Sequence, residues 1–167
     1  VLRIVIIFIS ILFTNTVFCK GTNVFGLGVF DIKFDSSDKN QATDFRYEFR
    51  SDQSLIDIGP KEDNFFFLKP FFGFEYTSDT ATYFLTGIYF EDNLGELFEG
   101  ENTNLFFTPS FGLGIYDDGS GKKLGNDLQF RTSLEMSYEL KNKNRIGISL
   151  SHISNANLSD INPGVEI

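Results

Sequence analysis

His152 is the only histidine in the chain, and it stands two residues before Ser154 and fourteen before Glu166. An imidazole, a hydroxyl and a carboxylate form the minimum set for an acyl-transfer triad. Ser154 is the nucleophile in such a set. His152 takes its proton and returns it to the leaving alkoxide. Glu166 orients His152 and stabilises the imidazolium. Asn155 can offer its side-chain amide to the oxyanion, together with a backbone N–H from the loop that follows. No other part of the sequence combines groups of this kind. A plainer reading stays open beside it: an interfacial histidine, a serine that ends a strand, and a turn from Asn155 to Pro163. His-x-Ser is a common spacing.

The elements that would carry these residues have a period of two. Between 127 and 140, Leu128, Phe130, Thr132, Leu134, Met136, Tyr138 and Leu140 share one face. Gln129, Arg131, Ser133, Glu135, Ser137 and Glu139 share the other, which describes a strand with one apolar and one polar side. Its length matches the nine to eleven or so residues of a tilted strand crossing a bilayer rather than the roughly five or six of a soluble one. Phe45, Tyr47 and Phe49 alternate with Asp44, Arg46, Glu48 and Arg50. Phe66 to Tyr76, by even numbers, lie opposite Lys69 and Glu75. Leu105 to Ile115, by odd numbers, lie opposite Thr108, Ser110 and two glycines. Ile146, Ile148 and Leu150 alternate with Arg145, Gly147, Ser149 and Ser151. Residues 23–34 and 80–91 read as strands of ambiguous parity. In the first, Phe25, Leu27 and Val29 compete with Phe30, Ile32 and Phe34, a conflict that a bulge would reconcile.

Seven strands follow, over about 23–34, 43–51, 64–77, 80–91, 104–116, 127–140 and 145–155. Turn sequences separate them: Asp35 to Asn40, Ser78-Asp79-Thr80, Asp117 to Gly121 and Lys141 to Asn144. Long antiparallel strands, apolar on one side and polar on the other, fit a small outer-membrane barrel whose interior pairs Arg46, Glu48, Lys69, Arg131 and Glu135. A soluble barrel or sandwich with its apolar face inward is the alternative. Such barrels have an even strand number. Seven strands and a start at Gly164-Val165-Glu166-Ile167 make eight. The expected fold is therefore all-β: an eight-stranded antiparallel up-and-down transmembrane barrel, with the eighth strand largely missing from this chain. The full-length protein is expected to run on for about ten residues.

Parity also directs the site. His152 and Ser154 continue the face of Ile146, Ile148 and Leu150, which meets lipid. With a periplasmic N-terminus, the seventh strand ends at the outer surface, so the two residues face the outer leaflet. A hairpin centred near Ser159 sets Glu166 opposite His152. Such a site suits a substrate already in the membrane.

Residues 1–19 read as a signal peptide. Arg3 precedes the apolar run Ile4–Phe13, and Val17-Phe18-Cys19 offers a cleavage region. The run is short for a transmembrane helix. The lack of an initial Met points to a non-standard start codon or a missing first residue. The single domain is then 20–167. Cys19 is the only cysteine, which rules out an intramolecular disulfide and a cysteine-based zinc site. Bulky Phe18 argues against a lipid-attachment cysteine. Removing 1–19 loses Arg3 and no acid, so the net charge of -9 becomes -10. An acidic chain repels phosphates and is a poor nucleic-acid binder. Twenty-one phenylalanines, with near-neutral mean hydropathy, mean apolar side chains diluted by regularly placed polar ones.

The run His152-Ile153-Ser154-Asn155-Ala156, followed by Asn162-Pro163-Gly164-Val165-Glu166, resembles the active-site signature of the PagL family, the outer-membrane lipid A 3-O-deacylases. Leu105 to Tyr116 and the stretch from Gly119 to Arg131 are similar to that family too. The resemblance covers nearly all of the mature chain, most specifically 104–166. It implies an eight-stranded barrel that hydrolyses the ester-linked 3-hydroxyacyl chain at position 3 of lipid A, with no metal or other cofactor. It implies His152, Ser154 and Glu166 as the catalytic residues and Asn155 as an oxyanion donor. The family commonly has Gly where this chain has Asn157, whose backbone N–H would be the second oxyanion donor. Asn tolerates left-handed backbone angles better than most residues. A C-terminal aromatic ending, usual in outer-membrane proteins, is also missing. The implied partners are lipid A or lipopolysaccharide and outer-membrane lipids, and a homodimer is compatible with them. Two other functions stay in view: a structural or adhesive barrel whose site has decayed, and a soluble periplasmic lipid-binding barrel.

Overall fold

The computed structural model describes residues 20–31, 41–57, 67–95 and 103–159. The proposed signal peptide and Glu166 lie outside the described residues. Seven long strands are present: β1 (Gly21–Phe30), β2 (Ala42–Ser51), β4 (Phe67–Thr77), β5 (Thr82–Tyr89), β7 (Leu105–Asp117), β8 (Leu128–Glu139) and β9 (Arg145–Ser154). Two-residue strands, β3 (Ile56–Asp57) and β6 (Asp92–Asn93), pair with β4 and β7. The long strands join in chain order, every neighbour antiparallel. Among the described residues no strand joins β1 to β9. A cleft of about 1070 Å³ lies between them. The sheet curls so far that Arg46 Nη2 on β2 donates to Ser149 Oγ on β9 at 2.8 Å. This is an all-β up-and-down barrel without its closing strand among the described residues.

The faces are inverted relative to a soluble protein. Phe25, Leu27, Phe84, Ile146 and Ile148 are each more than 60% exposed. Arg131, Glu48 and Gln129 are almost wholly buried. A contiguous apolar exterior around a polar interior is the pattern of a barrel wall in lipid. Soluble packing would have buried the aromatic face.

Inside, the charges pair. Arg131 donates to both Glu48 and Glu75, and its guanidinium lies over the Phe71 ring. Arg50 bonds Glu48 at 2.9 Å and Glu135 at 2.7 Å. Arg46 approaches Glu48 at 3.8 Å. Lys69 does not join this group as expected; its ammonium sits 5.9 Å from the Tyr89 ring centre. A smaller apolar cluster, including Phe71, Tyr83, Leu85, Tyr116, Leu124 and Ile153, packs beside these charges.

The β1–β2 pairing is unbroken from Gly21 to Phe30, so the bulge that would reconcile its parities is absent there. Phe25, Leu27 and Val29 face out. Phe30 turns in and stacks on Tyr116, with ring centres 6.2 Å apart. At the β8–β9 hairpin, Lys143 takes a φ of 68° and closes the turn with a bond to the Leu140 carbonyl.

Candidate active site on the outer wall of β9

The upper half of β9 is held from inside. Arg131 is in register with Ile153, the buried residue between His152 and Ser154. Ser151 Oγ donates to Ser133 Oγ at 3.0 Å. Tyr83 Oη, from across the interior, bonds the Gln129 carbonyl at 2.9 Å. These ties hold β8 and β9 from their polar side and leave the other side to the exterior.

On that exterior side, His152 is in register with Thr132, and Ser154 with Phe130. Both site residues are half-buried. They continue the row of Ile146, Ile148 and Leu150, all exposed. Phe130 stacks on Phe111 at 6.1 Å, and Leu113, Leu134 and Leu150 complete an apolar surround. His152, Ser154 and Thr132 form a small polar spot in this wall. The sequence-predicted pair thus shares one face of one strand, two residues and about 7 Å of rise apart.

The loop after β9 is tightly built. Asn155 is fully buried. Its Nδ2 donates to the Leu124 carbonyl at 2.8 Å and to Ser159 Oγ at 2.9 Å. Its Oδ1 accepts the Asn157 N–H at 3.0 Å, and its carbonyl accepts the Leu158 N–H at 3.0 Å. Ala156 and Asn157 have φ of 52° and 63°. Two successive left-handed residues inside an i to i+3 bond describe a type I′ turn. Asn157 accepts that conformation more readily than most residues. Ala156 is strained there, a feature that its residue type did not announce.

Leu124, which receives Asn155, belongs to the connection between β7 and β8. Tyr116 Oη pins that connection through the Lys122 carbonyl at 2.9 Å. Lys122 Nζ pairs with buried Asp31 at the end of β1, at 2.8 Å. The loop beside Ser154 therefore rests on a chain of contacts reaching the far edge of the sheet. Spacing in the sequence had no means of finding it. Thr132 was visible as the one aliphatic hydroxyl on the apolar row of β8.

No curated protein and no solved structure matches the chain. A family model described as lipid A 3-O-deacylase (PagL) matches residues 24–167, which includes every strand from the middle of β1 onward and the whole candidate site. The chain belongs to the PagL family, whose activity is the 3-O-deacylation of lipid A.

Proposed function

We propose that this chain is a serine esterase that removes the 3-O-linked hydroxyacyl chain of lipid A in the outer leaflet of the outer membrane. The observation that carries the reading is the outward, lipid-side position of His152 and Ser154 on one strand face. Ser154 Oγ attacks the ester carbonyl while His152 takes its proton. The tetrahedral intermediate collapses, the bond to the sugar oxygen breaks, and His152 returns the proton to that oxygen. Water, activated by His152, then releases the fatty acid from Ser154. Glu166 orients the imidazole.

Asn155 and Asn157 serve the oxyanion. Both donors are engaged within the loop, Asn157 N–H on Asn155 Oδ1 and Asn155 Nδ2 on Leu124 and Ser159. An oxyanion is a charged acceptor, and charge-assisted bonds are roughly twice as strong as neutral ones. It can draw a donor away from a neutral amide or hydroxyl oxygen. Residues 1–19 act as the export signal, and lipopolysaccharide is the substrate met in place.

Ser154→Ala tests this. Expression in a host with intact lipid A should shift the lipid A mass by one 3-hydroxyacyl chain with the parent and leave it unshifted with the variant. The loss of rate is expected to be on the order of 10⁴-fold or more. Both proteins should show the same heat-modifiable gel mobility, as folded barrels do. Unchanged deacylation by the variant would sink the mechanism. No mass shift with the folded parent would favour the structural barrel.

A further inference from the structure

Thr132 is out of place on its row. The outward face of β8 otherwise consists of Leu128, Phe130, Leu134, Met136 and Tyr138, most of them exposed. Thr132 is exposed as well. A hydroxyl in such a wall costs free energy unless it finds a partner. Some other polar groups on the wall have one. Thr86 Oγ1 donates to the Phe71 carbonyl at 2.9 Å, and Tyr47 Oη donates to Asn23 Oδ1 at 2.9 Å. Thr132 Oγ1 has no hydrogen-bond partner among the described residues. Its register is the decisive fact: it stands directly opposite His152, with Ser154 on the diagonal.

We propose that Thr132 Oγ1 hydrogen-bonds the 3-hydroxyl of the acyl chain being cleaved, and so selects 3-hydroxyacyl esters over plain ones. The inference rests on the esterase reading and goes beyond it by assigning the selecting residue. Distances support it. Diagonal cross-strand neighbours lie about 7–8 Å apart. An attacking oxygen approaches its carbonyl carbon to about 3–3.5 Å, and the substrate hydroxyl is borne two carbons further along. A hydroxyl–hydroxyl bond of about 2.8 Å closes the remaining gap to Thr132. The apolar tail beyond that carbon then runs over Phe111, Leu134 and Leu150, which flank Thr132 and His152. A plain acyl chain leaves the threonine hydroxyl unpaired in hydrocarbon, the asymmetry that makes hydrogen-bonding sites selective.

The test uses purified protein in mixed micelles. Two lipid A preparations are compared, matched in chain length, with and without the 3-hydroxyl on the 3-O-linked chain. The parent should prefer the hydroxylated ester. Thr132→Val keeps the branched shape and strand preference and replaces the hydroxyl by a methyl. It should lose roughly 3- to 10-fold in kcat/KM on the hydroxylated ester, the worth of one hydrogen bond, and be unchanged on the plain one. Thr132→Ser should restore the preference. Equal losses on both esters would mean that Thr132 acts through His152 and would overturn the proposal. So would a parent that turns over both esters equally. A folded parent that cleaves neither ester overturns the esterase reading itself.

Discussion

Arg131→Met removes the guanidinium that bridges two buried carboxylates, and the structure predicts that the two are not equally affected. Glu48 keeps Arg50 at 2.9 Å and Arg46 at 3.8 Å. Glu75 loses its only ion-pair partner among the described residues. Stranding a buried charge costs about 3–5 kcal/mol, so the single substitution should destabilise the barrel by about that amount. The added change Glu75→Gln, which removes the stranded charge, should recover about 2–3 kcal/mol, since only a neutral amide then needs satisfying. Glu48→Gln added to Arg131→Met should recover little, and it also weakens the hold on Arg50. The assay is urea unfolding of protein inserted in lipid vesicles. It can be followed by tyrosine fluorescence, since the chain has six Tyr and no Trp, and by heat-modifiable mobility. An unshifted midpoint in Arg131→Met would falsify the picture of an interior held by this bridge. Equal rescue by the two glutamine changes would show that the load is not divided as the distances indicate.

Two further outcomes are expected. Asn155→Asp preserves the acceptor for the Asn157 N–H but turns a donor into an oxygen facing the Leu124 carbonyl. The loop should open more easily by about 1–3 kcal/mol, seen as faster hydrogen exchange at Asn157 and Leu158; exchange equal to the parent's would refute the role given to the Asn155 amide. Ile148→Arg places a charge on one of the most exposed apolar positions, 79% exposed. It should cost up to about 2–4 kcal/mol in bilayers, depending on its depth, and an unaltered stability there would argue against lipid contact on β9.

Strict alternation made β2, β8 and β9 legible, because one side of each is charged or small and the other apolar. The same rule failed in β5, where Tyr83, Leu85 and Tyr89 face in while Phe84 and Ile88 face out. Both faces are apolar there, and only the hydroxyls of the inward tyrosines, bonded to the carbonyls of Gln129 and Ser51, mark the polar side. In β1 the inward positions Gly26 and Gly28 carry no side chain, so the pattern lost its contrast. β3 and β6 are too short to have a period. For the site, the row of His152 and Ser154 followed from counting by twos. The commitments of Asn155 did not, because Leu124 comes from a distant connection and the strained angle of Ala156 is a property of the folded turn. Arg50 and Glu75 were also missed as members of the interior network, since the pairs Arg50–Glu135 and Arg131–Glu75 cross the barrel and depend on its curvature.

His152 and Ser154 stand on the outward row of β9, on the opposite side of the wall from buried Arg131, Glu48 and Gln129, and in a bilayer this fixes the dimensionality of any encounter there. A molecule that reaches the outward row of β9 meets it from the lipid side of the wall, not from the interior cleft. It has to arrive by lateral diffusion, in two dimensions, and anything released there re-enters the same plane. The governing variable is then surface mole fraction rather than bulk concentration, and inert lipid acts as a diluent in the way that added water would for a dissolved reaction partner.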